Sequence, residues 1–465
     1  MQESRANSGV DLLLDLRGAR GRAAVESALR DAVRGGRLAA GTVLPSSRAL
    51  AAELGLARNT VADAYGQLVA EGWLTARQGS GTRVGERAIP QHRPSSPRRP
   101  PPASRLRYNL RPGVPDLAGF PRTAWLAAAR RALAATPNDL LGYPDPRGHL
   151  GLRETLASYL ARVRGVRATP GQVLICSGFV QALSLLASTL RAGGARTLAM
   201  ESHGLGLHQE LVRSAGLTTR LVTVDRSGAR VDEFGDCDAA LLTPSHQFPL
   251  GVPLAAARRA AVLKWARERG GLVIEDDYDG EFRYDRKPVG ALQSLAPDLV
   301  AYAGTASKSL VPALGLAWLV VPPRLLDAVV EAKRLSDGYT GLLEQLTLDE
   351  FISSGGYDRH VRRSRLRYRH RRDQLRSALA ERTSGITVTG IAAGLHAVAE
   401  LRGLRGEDEP AIRSRAARAG LAVQTLGFYR HEPRPDAPAA LVIGYATPPA
   451  HAYPGALDAL CDTLS

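Results

Sequence analysis

The residues best suited to chemistry in this chain follow two apolar segments. Lys308 comes shortly after the segment 299–303, and Asp276 and Tyr278 come directly after the segment 271–275. A lysine amine can form a Schiff base with an aldehyde cofactor, and an acid and a phenol on a neighbouring strand can hold the ring of that cofactor. The pattern therefore predicts pyridoxal phosphate chemistry, with Lys308 as the catalytic residue.

The other parts of a pyridoxal phosphate site are also present. Asp276 is the carboxylate expected to keep the pyridine nitrogen protonated, with Asp277 as a poorer alternative, and Tyr278 is the expected donor to the ring hydroxyl. A phosphate group needs backbone N–H groups at the start of a helix, and nearby hydroxyls add to them. The residues expected to surround the phosphate are Ser177, Gly178, Phe179, Val180, Thr305 and Ser307.

Apolar segments that alternate with helical patterns must position these residues. Such alternation predicts an α/β domain with a mostly parallel sheet and helices on both faces, and the small residues before Lys308 predict a turn there. Predicted strands cover residues 173–176, 197–200, 220–224, 239–242, 271–275, 299–303 and 316–321, and predicted helices cover residues 180–191, 208–215 and 255–269. A further arginine-rich helix at 359–372 is interpreted as a solvated or dimer-facing surface rather than one that faces DNA or an effector.

Residues 11–85 follow a different pattern, which is typical of a DNA-binding domain. Helical spacing of apolar residues is followed by two short strand-like segments around glycines, and this predicts a winged helix-turn-helix. The expected helices cover residues 23–35, 48–54 and 57–71, and the expected strands cover residues 73–77 and 82–84.

Polar residues stand where such a domain would contact double-stranded DNA. The helix 57–71 would enter the major groove by its N-terminal end, where Arg58, Asn59 and Thr60 could contact base edges. Arg48, early in the preceding helix, could bind a backbone phosphate. The contacts expected from the wing are those of Arg77, Gln78, Gly79 and Ser80.

A proline-rich segment separates the two patterns. Residues 86–106 contain six prolines among serines and arginines, so they cannot form a helix or a central strand, and we expect a stiff linker. The expected organisation is a DNA-binding domain at residues 11–85, this linker, and a larger domain at residues 107–465.

Composition narrows the class of protein and its partners. The 465 residues carry a formal net charge of +16, which favours nucleic acid as a partner, although a GC-rich genome would also produce an arginine-rich chain. The three cysteines form no tight motif, so neither a disulfide framework nor a metal site is expected. The polar N-terminus and the lack of a long apolar run predict neither a signal peptide nor a membrane span, and hence a cytoplasmic protein.

The motifs of both domains resemble known families. The first domain is similar to the GntR-type winged helix-turn-helix at residues 44–48 (LPSSR), 54–61 (LGLARNTV) and 71–74 (EGWL). The larger domain is similar to fold-type-I aminotransferases at residues 243–251 (TPSHQFPLG), 275–279 (EDDYD) and 304–308 (GTASK). Nearly the full chain therefore resembles MocR-type regulators, a subfamily of GntR. The resemblance implies a homodimer, with Tyr143 reaching the phosphate site of the partner subunit.

Phe179 and Val180 stand where the family usually has Gln or another polar residue in the phosphate cradle, and three further positions depart from the family pattern. Leu205 stands where an aromatic residue usually covers the cofactor ring, and Gly315 stands where an arginine usually pairs with the phosphate. Val442 stands where an aminotransferase has the arginine that binds the carboxylate of an amino acid. The loss of this last arginine bears most on turnover, because that arginine orients the substrate amine.

Three functions are consistent with these residues. We favour a transcription regulator that holds pyridoxal phosphate on Lys308 and responds to the cofactor or to a small-molecule amine. Gly315 and Val442 argue against a working aminotransferase with an accessory DNA-binding head. A DNA-binding dimer whose larger domain has lost the cofactor is favoured by Leu205 and Gly315 but opposed by Lys308.

Overall fold

A computed structural model describes residues 12, 14, 16, 21–77, 81–85, 106–284 and 289–465. The chain divides into two compact units, residues 1–104 and 105–465, and each is described by itself. The wing residues Gln78, Gly79 and Ser80 and most of the expected linker lie outside the described residues.

The described part of the first unit contains a three-helix core and a hairpin. Its elements are α1 (Arg22–Arg34), α2 (Ser47–Leu54), α3 (Arg58–Ala70), β1 (Leu74–Arg77) and β2 (Gly81–Val84). The two strands pair antiparallel, with Leu74 opposite Val84. Leu29, Leu50 and Leu68 are fully buried, one from each helix, and join the hairpin in one core.

Three local features position α2 and α3 relative to each other. At the start of α2, the Ser46 hydroxyl accepts the backbone N–H of Ala49 at 3.2 Å. At its end, Gly55 has a φ of +65°, a left-handed conformation that favours glycine. Tyr65 on α3 donates its hydroxyl to the carbonyl of Pro45 at 3.0 Å, which fixes α3 against the segment that leads into α2. The winged helix-turn-helix predicted from the sequence is confirmed.

The second unit alternates strands and helices for most of its length. Its strands are β3 (Tyr108–Asn109), β4 (Val173–Cys176), β5 (Thr197–Glu201), β6 (Thr218–Val222), β7 (Val224–Asp225), β8 (Gly228–Ala229), β9 (Ala239–Leu242), β10 (Leu272–Asp276), β11 (Val300–Thr305), β12 (Ala317–Val320), β13 (Ile386–Thr389), β14 (Ala397–Arg405), β15 (Leu421–Ala422), β16 (Gln424–Thr425) and β17 (Pro438–Ile443). Its helices are α4 (Arg122–Ala135), α5 (Leu150–Arg164), α6 (Phe179–Ala192), α7 (Gly206–Ser214), α8 (Ala256–Arg269), α9 (Ala306–Ser309), α10 (Leu326–Ser336), α11 (Leu342–Ser353), α12 (Gly356–Arg382), α13 (Glu409–Arg418) and α14 (Tyr453–Leu464).

A seven-stranded sheet forms the centre of this unit, in the order β4-β12-β11-β10-β9-β5-β6. Neighbouring strands are parallel except at β12, which is antiparallel to both β11 and β4. Its inner strands are buried throughout because apolar clusters pack on both faces, which explains their continuous apolar sequences. All strands but β12 therefore end at one edge of the sheet, where α/β proteins bind ligands.

Two local expectations change in detail. The strand predicted at 220–224 ends at Val222, because the backbone N–H of Thr223 donates to the Glu233 carboxylate at 2.6 Å instead of continuing the sheet. Lys308 lies in the short helix α9 rather than in a turn. The Thr305 hydroxyl caps this helix by accepting the backbone N–H of Ser307 at 3.1 Å.

A smaller antiparallel sheet, β13-β14-β17-β16, packs with α12 and α14 in a second core. Helix α12 contains the arginine-rich segment, and the interpretation of that segment as a solvated or dimer-facing surface is wrong for Arg371. This side chain is buried and donates to the carbonyls of Ala446 at 3.1 Å and Pro448 at 2.8 Å. It also pairs with Asp116 at 3.1 Å, so its charge is satisfied inside the protein.

Candidate functional site

A cavity of about 620 Å³ lies at the edge of the large sheet where β4, β5, β9, β10 and β11 end. The structure brings together in its lining all but one of the residues that the sequence predicts for the cofactor, namely Lys308, Asp276, Tyr278, Thr305, Ser307, Ser177, Gly178, Phe179 and Val180. The exception is Tyr143, whose side chain is 94% exposed and contacts Tyr339 outside the cavity.

Lys308 reaches the cavity because β11 ends at Thr305 and α9 turns the chain directly afterwards. Its Nζ donates to the carbonyl of Gly113 at 2.6 Å. Burial lowers the pKa of the Lys308 amine, while the negative charges of Asp276 and Asp279 oppose that shift. A lowered pKa raises the fraction of neutral amine, which is the nucleophilic form.

The structure distinguishes the two aspartates that end β10. Asp276 lines the cavity, and burial, followed by the charge of Asp277, raises the pKa of its carboxyl well above the ordinary value. Asp277 is instead bound by Arg164, whose Nε and Nη2 donate to it at 2.7 and 2.9 Å, and by the Tyr302 hydroxyl at 2.7 Å. Asp276 is therefore the carboxylate that a ligand in the cavity can meet.

Tyr278 presents its hydroxyl within a cluster of buried polar groups. The hydroxyl donates to the backbone carbonyl of His246 at 3.0 Å and lies 3.1 Å from Nδ1 of the same residue. His246 Nδ1 also lies 2.8 Å from the Asp279 carboxylate, which holds the ring in place. Burial raises the pKa of Tyr278 well above its ordinary value, so its hydroxyl keeps its proton and remains a donor.

The start of α6 has the properties of a phosphate cradle. Gly178 is its N-cap residue, and no side chain caps the helix there. The N–H of Ser177 donates to Gln181 Oε1 at 2.8 Å, which shapes the segment that leads into the helix. The hydroxyls of Thr305 and Ser307 line the same cavity, 2.9 Å apart. An uncapped N-terminus of a fourteen-residue helix attracts anions through its backbone N–H groups and its dipole.

The three unusual positions have distinct surroundings. Leu205 lines the cavity and is 41% exposed. Gly315 has a φ of +58°, a left-handed conformation in which an arginine would be strained. Val442 is fully buried on β17, in an apolar cluster with Val398 and Ala440.

Several lining residues were not predicted from the sequence. Gly113 supplies the carbonyl that accepts from Lys308, and Glu201 ends β5 with a pKa raised to about 7 by burial. The other unpredicted polar lining residues include His208, His396 and His431. Glu201 could have been found from its place at the end of a predicted parallel strand, whereas the histidines belong to segments that meet only in the folded chain.

The residues predicted to contact DNA lie at the surface of the first unit where they are described. Arg58 and Asn59 are exposed at the start of α3, with Thr60 half-buried beside them, and Arg48 is exposed near the start of α2. Among the described residues no side chain caps the N-terminus of α3, so the N–H groups of Arg58 and Asn59 are open to a phosphate, whereas that of Thr60 donates to the Ala57 carbonyl at 3.0 Å. Arg77 ends β1, but its side chain, like Gln78, Gly79 and Ser80, falls outside the described part.

The first unit thus has the architecture of a winged helix-turn-helix DNA-binding domain, and the second has that of a fold-type-I aminotransferase. Family models agree with both assignments. The model of bacterial regulatory proteins of the gntR family matches residues 22–84, and that of aminotransferase class I and II matches residues 109–432.

Similar proteins share this combination of domains over most of the chain. The HTH-type pyridoxine biosynthesis transcriptional regulator PdxR of Corynebacterium glutamicum is 33% identical, over 86% of this chain and 87% of its own length. The probable rhizopine catabolism regulatory protein MocR of Rhizobium meliloti is 32% identical, over 90% of this chain and 88% of its own.

Among solved structures, LysN, an α-aminoadipate aminotransferase of Thermus thermophilus complexed with N-(5'-phosphopyridoxyl)-L-leucine, matches with a TM-score of 0.68. It is 25% identical, and the match covers 78% of this chain and 92% of LysN. The chain belongs to the MocR-type transcription regulators, in which a GntR-type DNA-binding domain precedes an aminotransferase-like domain. Across the described residues, every helix is too short or too polar to cross a bilayer.

Proposed function

We propose that this regulator holds pyridoxal phosphate in the cavity, with Lys308 as the residue that binds its aldehyde. The observation that carries the proposal is that the Lys308 amine, the Asp276 carboxylate and the uncapped start of α6 line one cavity. The phosphopyridoxyl ligand of LysN supports it. A head at residues 11–85 and a linker at residues 86–106 would connect this site, in a body at residues 107–465, to DNA.

Each polar group of the cavity fits one part of the cofactor. Burial raises the pKa of the Asp276 carboxyl, and a cationic partner would stabilise its ionised form. The protonated pyridine nitrogen of the cofactor would be such a partner. The N–H groups at the start of α6 would bind the phosphate, and Tyr278 would donate to the ring hydroxyl. When bound, pyridoxal phosphate supplies an electron sink and an aldehyde that can exchange between amines. Lys308 would hold the neutral amine that this exchange requires.

The signal to DNA would arise from exchange at Lys308. A small-molecule effector that has different affinities for two arrangements of the heads shifts their populations, and thereby changes binding to a double-stranded operator. We propose that the protein acts in the cytoplasm as a homodimer. The exposure of Tyr143 supports the dimer, because this residue is available to the phosphate site of a partner subunit.

We further propose that the protein is a poor transaminase. Val442 supports this view, because the position lies among apolar side chains and offers no charge to a substrate carboxylate. Turnover of common amino acids with 2-oxoglutarate should stay well below about 1 per second, an ordinary lower value for enzymes. A faster rate with any of them would make the protein an enzyme with a DNA-binding head.

The test of cofactor binding uses the small number of lysines in the chain. The sequence has four, namely Lys264, Lys287, Lys308 and Lys333. After addition of pyridoxal phosphate and reduction with borohydride, peptide mapping should place the adduct on Lys308, and Lys308→Ala should lose the absorbance of the bound cofactor. Lys264→Ala, which changes an exposed lysine, is the matched control and should behave as the wild type. An adduct on another lysine, or none, would refute the assignment.

A further inference from the structure

The cavity beside Lys308 contains little positive charge for so basic a chain. The sequence has 61 lysines and arginines. Among those that the structure describes, Lys308 alone lines the cavity. The acidic residues of the lining are Glu201 and Asp276. Within the described residues, the lining therefore offers two carboxyl groups, of which Asp276 is assigned to the cofactor, and no guanidinium.

Arg430 contacts the cavity lining but is held outside it. Its Nε donates to Nε2 of His203, a lining residue, at 3.2 Å. Its Nη1 donates to the backbone carbonyl of Arg434, also at 3.2 Å. These two bonds use two of the five N–H groups of the guanidinium and hold it in place, and Arg430 is not part of the lining.

One part of the cavity wall is apolar. Phe248, Leu395 and Tyr429 line it, and the rings of Phe248 and Tyr429 pack edge to face with centroids 5.0 Å apart. Tyr429 belongs to the buried cluster that contains Val442, and Phe248 packs against that cluster. An ionised carboxylate against this wall would lose its hydration without gaining a partner, which is strongly unfavourable, whereas an alkyl or aromatic group would be stabilised there.

The imidazoles of the lining do not replace the missing guanidinium. Burial lowers the pKa of His203 and of His208 to about 4. It lowers the pKa of His396 to about 3 and also lowers that of His431. Burial therefore favours the uncharged form of these four rings, and an uncharged imidazole cannot balance the negative charge of a ligand.

We infer that the effector of this regulator is a primary amine with an apolar body and no carboxylate group. The inference rests on the proposed function, since the amine is expected to exchange with Lys308. The nitrogen would take the place of the Lys308 amine on the cofactor, the apolar body would find Phe248 and Leu395, and the described lining offers no cation to a carboxylate apart from Lys308 itself. An amino acid with the same body should bind more weakly because of its carboxylate.

Matched ligand pairs test this inference on the full chain with pyridoxal phosphate bound. Phenethylamine is compared with phenylalanine, and n-pentylamine with norleucine, so that each pair differs by one carboxylate. Cofactor absorbance and melting temperature are followed during titration. We expect each amine to reach half-saturation at a concentration at least about tenfold below that of its amino acid. An amino acid that binds as tightly as its amine would overturn the inference.

The two readouts separate this inference from the proposal on which it rests. A protein without cofactor absorbance contradicts the proposed function, while the melting temperature still reports any preference for amines. Intact cofactor absorbance that responds to neither amine contradicts the inference alone. Leu205→Arg adds a guanidinium to the partly exposed lining and should shift the binding preference from phenethylamine toward phenylalanine. An unchanged preference would contradict the inference. Leu207→Arg, also exposed but outside the lining, is the matched control.

Discussion

The DNA-binding head and the cavity of the body use charge in different ways. Arg48 and Arg58 are exposed at the starts of two helices, where arginines stay ionised in water and suit a polyanion. In the cavity, Lys308, Asp276 and Glu201 are largely buried, and burial changes the pKa of each. The head therefore relies on permanent charge, and the cavity relies on protonation that its neighbours set. We therefore expect substitutions of buried charged residues to lower the stability of the body, and substitutions of exposed arginines to lower the affinity of the head for DNA.

The largest effect is expected at the buried ion pair behind the cavity. Asp277 accepts three side-chain hydrogen bonds from described residues, and Arg164→Met would leave its buried carboxylate with the one from the Tyr302 hydroxyl. Loss of one member of such a buried pair costs about 3–5 kcal/mol. Urea unfolding of the full chain followed by tyrosine and tryptophan fluorescence measures this loss. Arg30→Met, which breaks the partly exposed pairs with Glu71 and Glu26 in the head, is the control and should cost less stability. Equal effects of the two substitutions would remove the contrast.

A second effect depends on pH and is confined to the body. Burial raises the pKa of Glu201 from 4.5 to about 7, so the folded state binds a proton more tightly than the unfolded state between those values. The tighter proton binding of Glu201 in the folded state stabilises the protein by at most about 3 kcal/mol. This stabilisation is present at low pH and is lost as pH rises from about 4.5 to about 7.

Glu201→Gln should remove that dependence. The free energy of unfolding of the variant, minus that of the wild type, should therefore increase across this window. Other groups with shifted pKa values, such as Glu281 and His208, are present in both proteins and largely cancel in the difference. Unfolding curves at five or six pH values measure the effect. Parallel stability profiles of the two proteins would show that Glu201 is ionised in the folded state.

The sequence was sufficient where a signal is local and insufficient where distant segments meet. Each of the seven strands of the large sheet was predicted, the buried ones from their continuous apolar sequences. The edge strand β6, with the sequence TTRLV, is partly exposed and was predicted with different bounds. The choice between Asp276 and Asp277 was not settled, since it depends on which face of β10 meets Arg164, a residue more than a hundred positions earlier.

The same reasoning explains the residues that were missed. Gly113 and His431 line one cavity although more than three hundred residues separate them in the chain. Arg371 was placed with its exposed neighbours because its partners, Asp116 and the carbonyls near Ala446, are also remote in sequence. Periodicity identifies which face of a helix is apolar, but it does not reveal a buried charge whose partners come from elsewhere.

In the head, the substitution with the larger expected effect is Arg58→Ala. Arg58 is the first residue of α3 and is exposed, so its guanidinium can reach a guanine edge if α3 enters the major groove. Loss of a bidentate base contact should cost about 1–3 kcal/mol, and it should relax specificity at one base pair. Titration against operator and scrambled duplexes measures the ratio of the two affinities. An unchanged ratio would mean that another element contacts the bases.

Arg48→Ala should have the smallest effect and one of a different kind. Arg48 is exposed in the first turn of α2, a position suited to a backbone phosphate, which is the same in every sequence. The substitution should weaken binding to operator and scrambled duplexes alike, and should reduce the slope of log affinity against log salt by about 1. Titrations at several salt concentrations measure that slope. A changed operator-to-scrambled ratio would instead place Arg48 at a base edge, and the division of the head into one helix for bases and one for phosphate would fail.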